Sequence, residues 1–270
     1  MAKFITKDQT TINYDVFSGV VPTTTFFIHG NLASNRWWMP TVEILKSSKN
    51  NFKNKSGSVI CAEFRGCGGS SAPKNESEVT IKNFADDFIQ LIRELKLGPI
   101  HLVGHSTGGL IAALMLAEAP ELFSKAYLLD TVGAEGVKFD NAMISAFEAM
   151  KSDRQLTATI MGSTIYKNNA ESAFFNETLV EDAFQAVKSV GHLVLKALDG
   201  LDLRETLKTV QHSVCVVHGE HDVLLPATEA QKLAALFANG KFHTLNDCGH
   251  CPNIENPEYF VKDFSEFLYN

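Results

Sequence analysis

Residues 100–119 read IHLVGHSTGGLIAALMLAEA. The apolar run Ile100–Val103 has the length of a buried strand, and the longer run from Leu110 suits a buried helix. Between them lies Gly104-His105-Ser106-Thr107-Gly108, followed by Gly109. This is G-x-S-x-G in a strand–turn–helix context. So sharp a turn leaves room only for small residues beside the serine, and it lifts the serine hydroxyl above the C-terminal end of the strand. The next helix aims its free N–H groups and positive end at the same point. An ordinary glycine-rich turn is the bland alternative; the flanking strand and helix speak against it.

Outward from this turn the chain alternates. AKFITKDQTTINYDVFSG (residues 2–19) suggests an opening hairpin, and TTTFFIHG (23–30) a buried strand. NRWWMPTVEILKSS (35–48) reads as a helix, with Pro40 acceptable near its start. GSVICAEFRGCGGSS is a strand and then a glycine-rich loop. Ile81, Phe84, Phe88, Leu91, Ile92 and Leu95 keep helical spacing, which predicts a helix over 78–96. KAYLLDTVG is a further strand. Such alternation, with continuous apolar strands, means an α/β fold with a mostly parallel sheet covered on both faces. From residue 134 to about 203 only helical patterns occur. Met143, Phe147 and Met150 share one face; Val180, Ala183, Phe184, Val187 and Val194 suggest a second, longer helix weakened at Gly191. Alternation resumes at SVCVVHGEHD. A helix from Pro226 to Asn239 is expected to stop at Gly240, KFHTLND forms the last strand, and Asn256-Pro257 caps a closing helix. The reading is a core of residues 1–133 and 204–270 interrupted by a helical insertion, 134–203.

Bulk properties narrow the function. The chain has 270 residues, 45% of them hydrophobic, and a net charge of −7 with scattered Lys and Arg. That argues against a polyanion surface and hence against nucleic acid. MAKFITKDQT lacks the apolar segment of a signal peptide, and LIAALMLA is too short to span a bilayer. The expectation is a cytoplasmic protein without membrane insertion, monomeric or homodimeric. Five cysteines, an odd number, do not form a secreted disulfide framework.

A serine hydroxyl needs a base, and a histidine base is held in one tautomer by a carboxylate. Of the histidines after Ser106, His250 lies in a glycine-containing loop after the last strand, free to reach over the sheet. Asp222, in the loop after VCVVHG, is the expected acid, with Glu220 as the alternative. Oxyanion donors are expected from the N–H of Thr107 and from that of Asn31 or Leu32. Leu32, Trp37, Trp38, Met143 and Phe147 are candidates to line an acyl pocket, although tryptophans and insertion methionines also serve as core. Cys248-Gly249-His250-Cys251 offers a rival, a redox C-x-x-C pair. Its place near the C-terminus and the Pro252-Asn253 that follows it disfavour that reading. A metal set of His218, His221, Asp222 and His250 matches no common zinc spacing. Gly66, Gly68 and Gly69 fall short of G-x-G-x-x-G because Ser71 fills the third position.

With these pieces in order, the sequence resembles the α/β-hydrolase superfamily along nearly its whole length. The matching segments are His29-Gly30-Asn31, Glu63 to Ser70, Gly104 to Gly109, Gly219 to Pro226, and Gly249-His250. Glu63 stands where the family usually has aspartate. The resemblance implies about eight strands, a helical cap inserted after the sixth, and a Ser106–His250–Asp222 triad working without cofactor or metal on a small acyl compound such as an ester or lactone. It leaves a hydrolase-like ligand receptor and a C–C bond hydrolase as alternatives. Ser106 argues against the family's dehalogenases and epoxide hydrolases, which use an aspartate nucleophile.

Overall fold

Alternation along the strands sorts the apolar residues into two cores. Phe26, Ile28 and Leu102 enter one; Phe27, Val103 and Tyr127 enter the other. The computed structural model describes residues 1–47 and 55–270. Strands β1 (Ala2–Ile5), β2 (Thr11–Phe17), β3 (Val21–Ile28), β4 (Gly57–Ala62), β5 (Ile100–His105), β6 (Phe123–Leu129), β7 (Ser213–Gly219) and β8 (Asn239–Leu245) form one sheet in the order β1-β2-β4-β3-β5-β6-β7-β8. The opening hairpin is present: β2 pairs antiparallel with β1 and with β4, while the remaining pairings are parallel. This is the α/β-hydrolase arrangement.

The helices are α1 (Met39–Lys46), α2 (Ile81–Glu94), α3 (Thr107–Glu118), α4 (Asn141–Met150), α5 (Arg154–Ser163), α6 (Val180–Ser189), α7 (Leu193–Leu198), α8 (Arg204–Leu207), α9 (Ala227–Leu236), α10 (Pro252–Glu255) and α11 (Pro257–Leu268). Buried residues of α1 and α11 join one core, and those of α2, α3 and α9 join the other. Asn256 accepts from Tyr259 N and Pro257 opens α11, the expected cap. The helix read over 35–48 begins as a 3-10 turn, Asn35–Trp38, before α1; its last residue, 48, lies outside the described residues. None of the described helices is long and apolar enough to cross a membrane.

Two boundaries differ from the sequence reading. The helix expected through Val194 is split, because Gly191 adopts φ +52° and separates α6 from α7. A π-helical turn, Phe174–Leu179, precedes α6. Gly240 does not cap α9, which ends at Leu236; Gly240 lies in β8. A Cβ there would meet Ala234 O at 2.0 Å, so the glycine allows the strand to start hard against the helix end.

Between β6 and β7 the described chain is helical with connecting turns, and polar ties fasten it to the sheet's loops. Asp182 of α6 is buried. It accepts from Ser34 Oγ at 2.6 Å and from Arg36 Nε at 3.0 Å. Glu63 acts within the core: its carboxylate accepts from Asn13 Nδ2, Asn35 N and Gly69 N, which braces the loop after β3 and the glycine turn after β4.

Candidate active site

Ser106 joins β5 to α3 with φ +54° and ψ −122°, a conformation that costs a non-glycine residue on the order of 1–3 kcal/mol. Backbone bonds from the neighbouring strand's end hold it there. Ser106 N donates to Leu129 O at 2.9 Å, and Ser106 O accepts from Gly109 N and Val132 N. The flanking glycines are steric necessities. A Cβ on Gly104 would lie 2.3 Å from Gly108 O, and one on Gly108 would lie 2.3 Å from His29 O. A serine ahead of a helix ordinarily caps it, but Ser106 makes no capping bond. Its hydroxyl therefore stays available to the adjoining cavity.

Across that cavity, His250 Nδ1 lies 2.8 Å from Asp222 Oδ2. Asp222 Oδ1 accepts from Leu224 N at 2.7 Å and Leu225 N at 3.2 Å. Burial opposes ionisation of Asp222, yet the His250 bond and these N–H groups hold its carboxyl below the usual range. With Nδ1–H directed at the carboxylate, Nε2 is the basic nitrogen of the ring. Glu220, the alternative acid, instead accepts from Asp247 N at 2.9 Å.

Ser106, His250, Asn31 and Thr107 line one cavity of about 310 Å³. Among the described residues the N–H groups of Asn31 and Thr107 have no internal partner, whereas Leu32 N donates to Asn31 Oδ1 at 3.0 Å. Asn31 is thus the freer of the two candidate donors. Leu32, Trp37, Met143 and Phe147 line the cavity, joined by Val132, Ile160, Met161, Leu195 and Leu198. None of its described lining residues is Asp, Glu, Lys or Arg. Trp38 requires a correction. It is fully buried in the opposite core, edge-on to Phe27 at 5.1 Å and stacked with Phe260 at 6.1 Å. The tight turn at 35–38 sends adjacent tryptophans to different sides.

Two further residues support the site and were not singled out in the sequence. His105, the second residue of G-x-S-x-G, bonds through Nε2 to His250 O at 2.7 Å. Burial, then the nearby His250, pull its pKa down to about 3, so the ring stays neutral and can donate. Asp130 follows β6 with φ +41°, is fully buried, and accepts from Gly219 N at 2.7 Å. Burial and then the Asp222 charge push its carboxyl well above the usual range. Its signal was present: it is the first charged residue after the apolar run AYLL, at the end of a strand where site residues gather.

The rival readings fare differently. Cys248 and Cys251 are both free and buried, but they belong to opposite cores. Burial pushes the Cys248 thiol up to about 12 and raises that of Cys251 well above its usual value, the reverse of an activated dithiol. The set His218, His221, Asp222 and His250 does not gather as a whole: His221 stacks on Tyr166 at 4.3 Å, while His218 Nδ1 lies 4.0 Å from Asp222 Oδ2 and 3.4 Å from Asp130 Oδ1. Among the described residues, the trio with metal-ligating atoms close together is Asp130, Asp222 and His250, within 4.8 Å.

Known proteins share this fold. The chain is 25% identical over 239 residues to 3-oxoadipate enol-lactonase 1 of Acinetobacter baylyi, covering 86% of this chain and 83% of the relative. It is 24% identical over 227 residues to 2-hydroxymuconate semialdehyde hydrolase of Pseudomonas sp., covering 79% and 77%. The crystal structure of the enol-lactonase from Burkholderia xenovorans superposes over 100% of both chains with a TM-score of 0.83 at 20% identity. The family profile of the alpha/beta hydrolase fold spans residues 26–257, and the chain belongs to that family.

Proposed function

We propose that the protein is a serine hydrolase that cleaves a small or medium carboxylic ester, lactone or related acyl compound of apolar character. The observation that carries this reading is the sharing of one uncharged cavity by an uncapped, strained Ser106 and the Asp222-bound His250. Ser106 Oγ attacks the carbonyl carbon while His250 Nε2 takes its proton. Asp222 keeps the imidazole oriented and stabilises its charged form. The N–H groups of Asn31 and Thr107 hold the oxyanion, each such donor being worth about 2.7–4 kcal/mol. The C–O bond to the leaving group breaks as His250 returns the proton to the leaving oxygen. Water, deprotonated by the same nitrogen, then attacks the acyl-enzyme, and its proton goes back to Ser106 as the acid departs.

The lining also bears on substrate class. A C–C hydrolase acting on an acidic diketone, like a lactonase acting on a lactone with a free carboxylate, is best served by a cation that holds the substrate's charge. The described lining residues offer none, which favours a neutral substrate. The test is Ser106→Ala against a panel of uncharged esters, lactones and thioesters, with fluorophosphonate labelling of the native protein. The expected result is label on Ser106 and a fall in kcat/KM of about 10⁴- to 10⁶-fold for the variant. Equal turnover by folded Ser106→Ala would reject the mechanism.

A further inference from the structure

The peptides on either side of His250 are gripped by one side chain. Glu255, in α10, accepts from Gly249 N through Oε2 at 2.5 Å and from Cys251 N through Oε1 at 2.9 Å. Oε1 also accepts from Tyr166 N at 2.8 Å, and Tyr166 belongs to the helical insertion. Burial pushes the Glu255 carboxyl above its usual range, and the three N–H bonds work against that push. Bonds from N–H groups to an ionised carboxylate are among the stronger hydrogen bonds in proteins. The same corner of the insertion meets the site loops twice more. The Tyr166 ring stacks on His221, the neighbour of Asp222, and Lys167 Nζ lies 2.7 Å from Asp247 Oδ1, at the start of the His250 loop. The packing is close: a Cβ on Gly249 would lie 2.6 Å from Tyr166 Cβ.

We propose that Glu255 is a positioning residue for His250, fixing the peptides before and after the imidazole and tying that loop to the Tyr166 corner of the insertion. The proposal rests on the reading of His250 as the base. Glu255 touches neither the cavity nor the reacting atoms; it acts through the loop. A base displaced by about 1 Å loses on the order of 100-fold in rate.

Glu255→Gln keeps one acceptor oxygen but turns an amide donor toward one of the N–H groups, and Glu255→Ala removes all three bonds. Each variant is compared with the native protein and with Ser106→Ala. The readouts are thermal midpoint, kcat and KM on a neutral activated ester, fluorophosphonate labelling rate, and the downfield Nδ1–H proton resonance of His250. The expected result for folded Glu255→Gln is kcat and labelling rate lowered about 10- to 100-fold, KM changed by no more than about twofold, and a shifted or lost resonance. Native kcat with an unmoved resonance in either folded variant overturns the proposal. So does a kcat that falls only with the folded fraction, or loss of the fold in both variants, which would make Glu255 a structural brace. If Ser106→Ala is inactive while Glu255→Gln is fully active, only the positioning role falls. If Ser106→Ala turns over normally, the triad reading itself falls.

Discussion

The rim of the sheet and the helical insertion meet at one cavity but are built differently. On the rim, the site residues sit in turns held through peptide groups, and the N–H groups flanking His250 are bound by Glu255. Ser106 hangs from the end of β6, and Asp222 is held by Leu224 N and Leu225 N. In the insertion, cavity-lining residues such as Met143 and Phe147 project from amphipathic helices, and Met143 is 40% exposed. The insertion is fastened by polar ties at its edges: Asp182 to Ser34 and Arg36, Tyr166 N to Glu255, Lys167 to Asp247. For the proposed hydrolase, peptide-held turns on one side and side-chain packing on the other suit a division of labour, with rate set at the rim and selection set by the insertion.

Three measurements press on that division. Asp222→Asn keeps the shape of the acid but removes its charge and its preference for one imidazole tautomer. The expected loss is about 10⁴-fold in kcat with KM little changed; a change confined to KM would break the assignment of rate to the rim. Phe147→Ala takes apolar surface from the insertion's side of the cavity. The expectation is a KM for apolar esters raised about 5- to 30-fold, equivalent to about 1–2 kcal/mol of lost burial, with kcat near native. A larger fall in kcat than rise in KM would show that the insertion shapes the rate step.

The smallest effect lies on the back of the sheet. There His243 bonds Asp263 at 2.8 Å, and Asp263 also accepts from Tyr127 Oη at 2.7 Å. The Asp263 bond, with Cys215 beside the ring, raises the His243 pKa from 6.5 to about 10. A raised pKa of a basic group adds stability that is fully present below pH 6.5 and is lost as pH rises toward about 10. Asp263→Asn should therefore lower the melting temperature by a few degrees near pH 6 and by much less above pH 10, leaving kcat and KM unchanged. A pH-independent gap would assign the loss to packing instead. Because the ring is half-exposed, solvent screening keeps this effect modest.

How much could be read from the sequence follows the same line. The turn at 104–109, the strands and the capped closing helix were legible because their constraints are local: residue size, alternation, and a side-chain oxygen one turn from an N–H. The Asp222–His250 pairing was expected from chain order; the structure brings the two side chains together. The side taken by Trp38 was not legible, since one residue of turn geometry decides between two cores. Nor was Glu255, whose partners are three peptide groups from two separate places in the chain and leave no pattern of residue types. The break at Gly191 was visible as a weakness, but whether a glycine bends or ends a helix depends on what packs beyond it.

The crowding around the turn at 104–109 has a further consequence. Positions 104, 108 and 109 each face backbone or a fixed side chain at distances no Cβ could tolerate. For the proposed serine nucleophile, these three glycines are therefore fixed by the space around them. Under the proposed function, variation in what the protein accepts falls to side chains that line the cavity away from these glycines, Met143 and Phe147 of the insertion among them, so a lineage could exchange one substrate for another without rebuilding its means of breaking it.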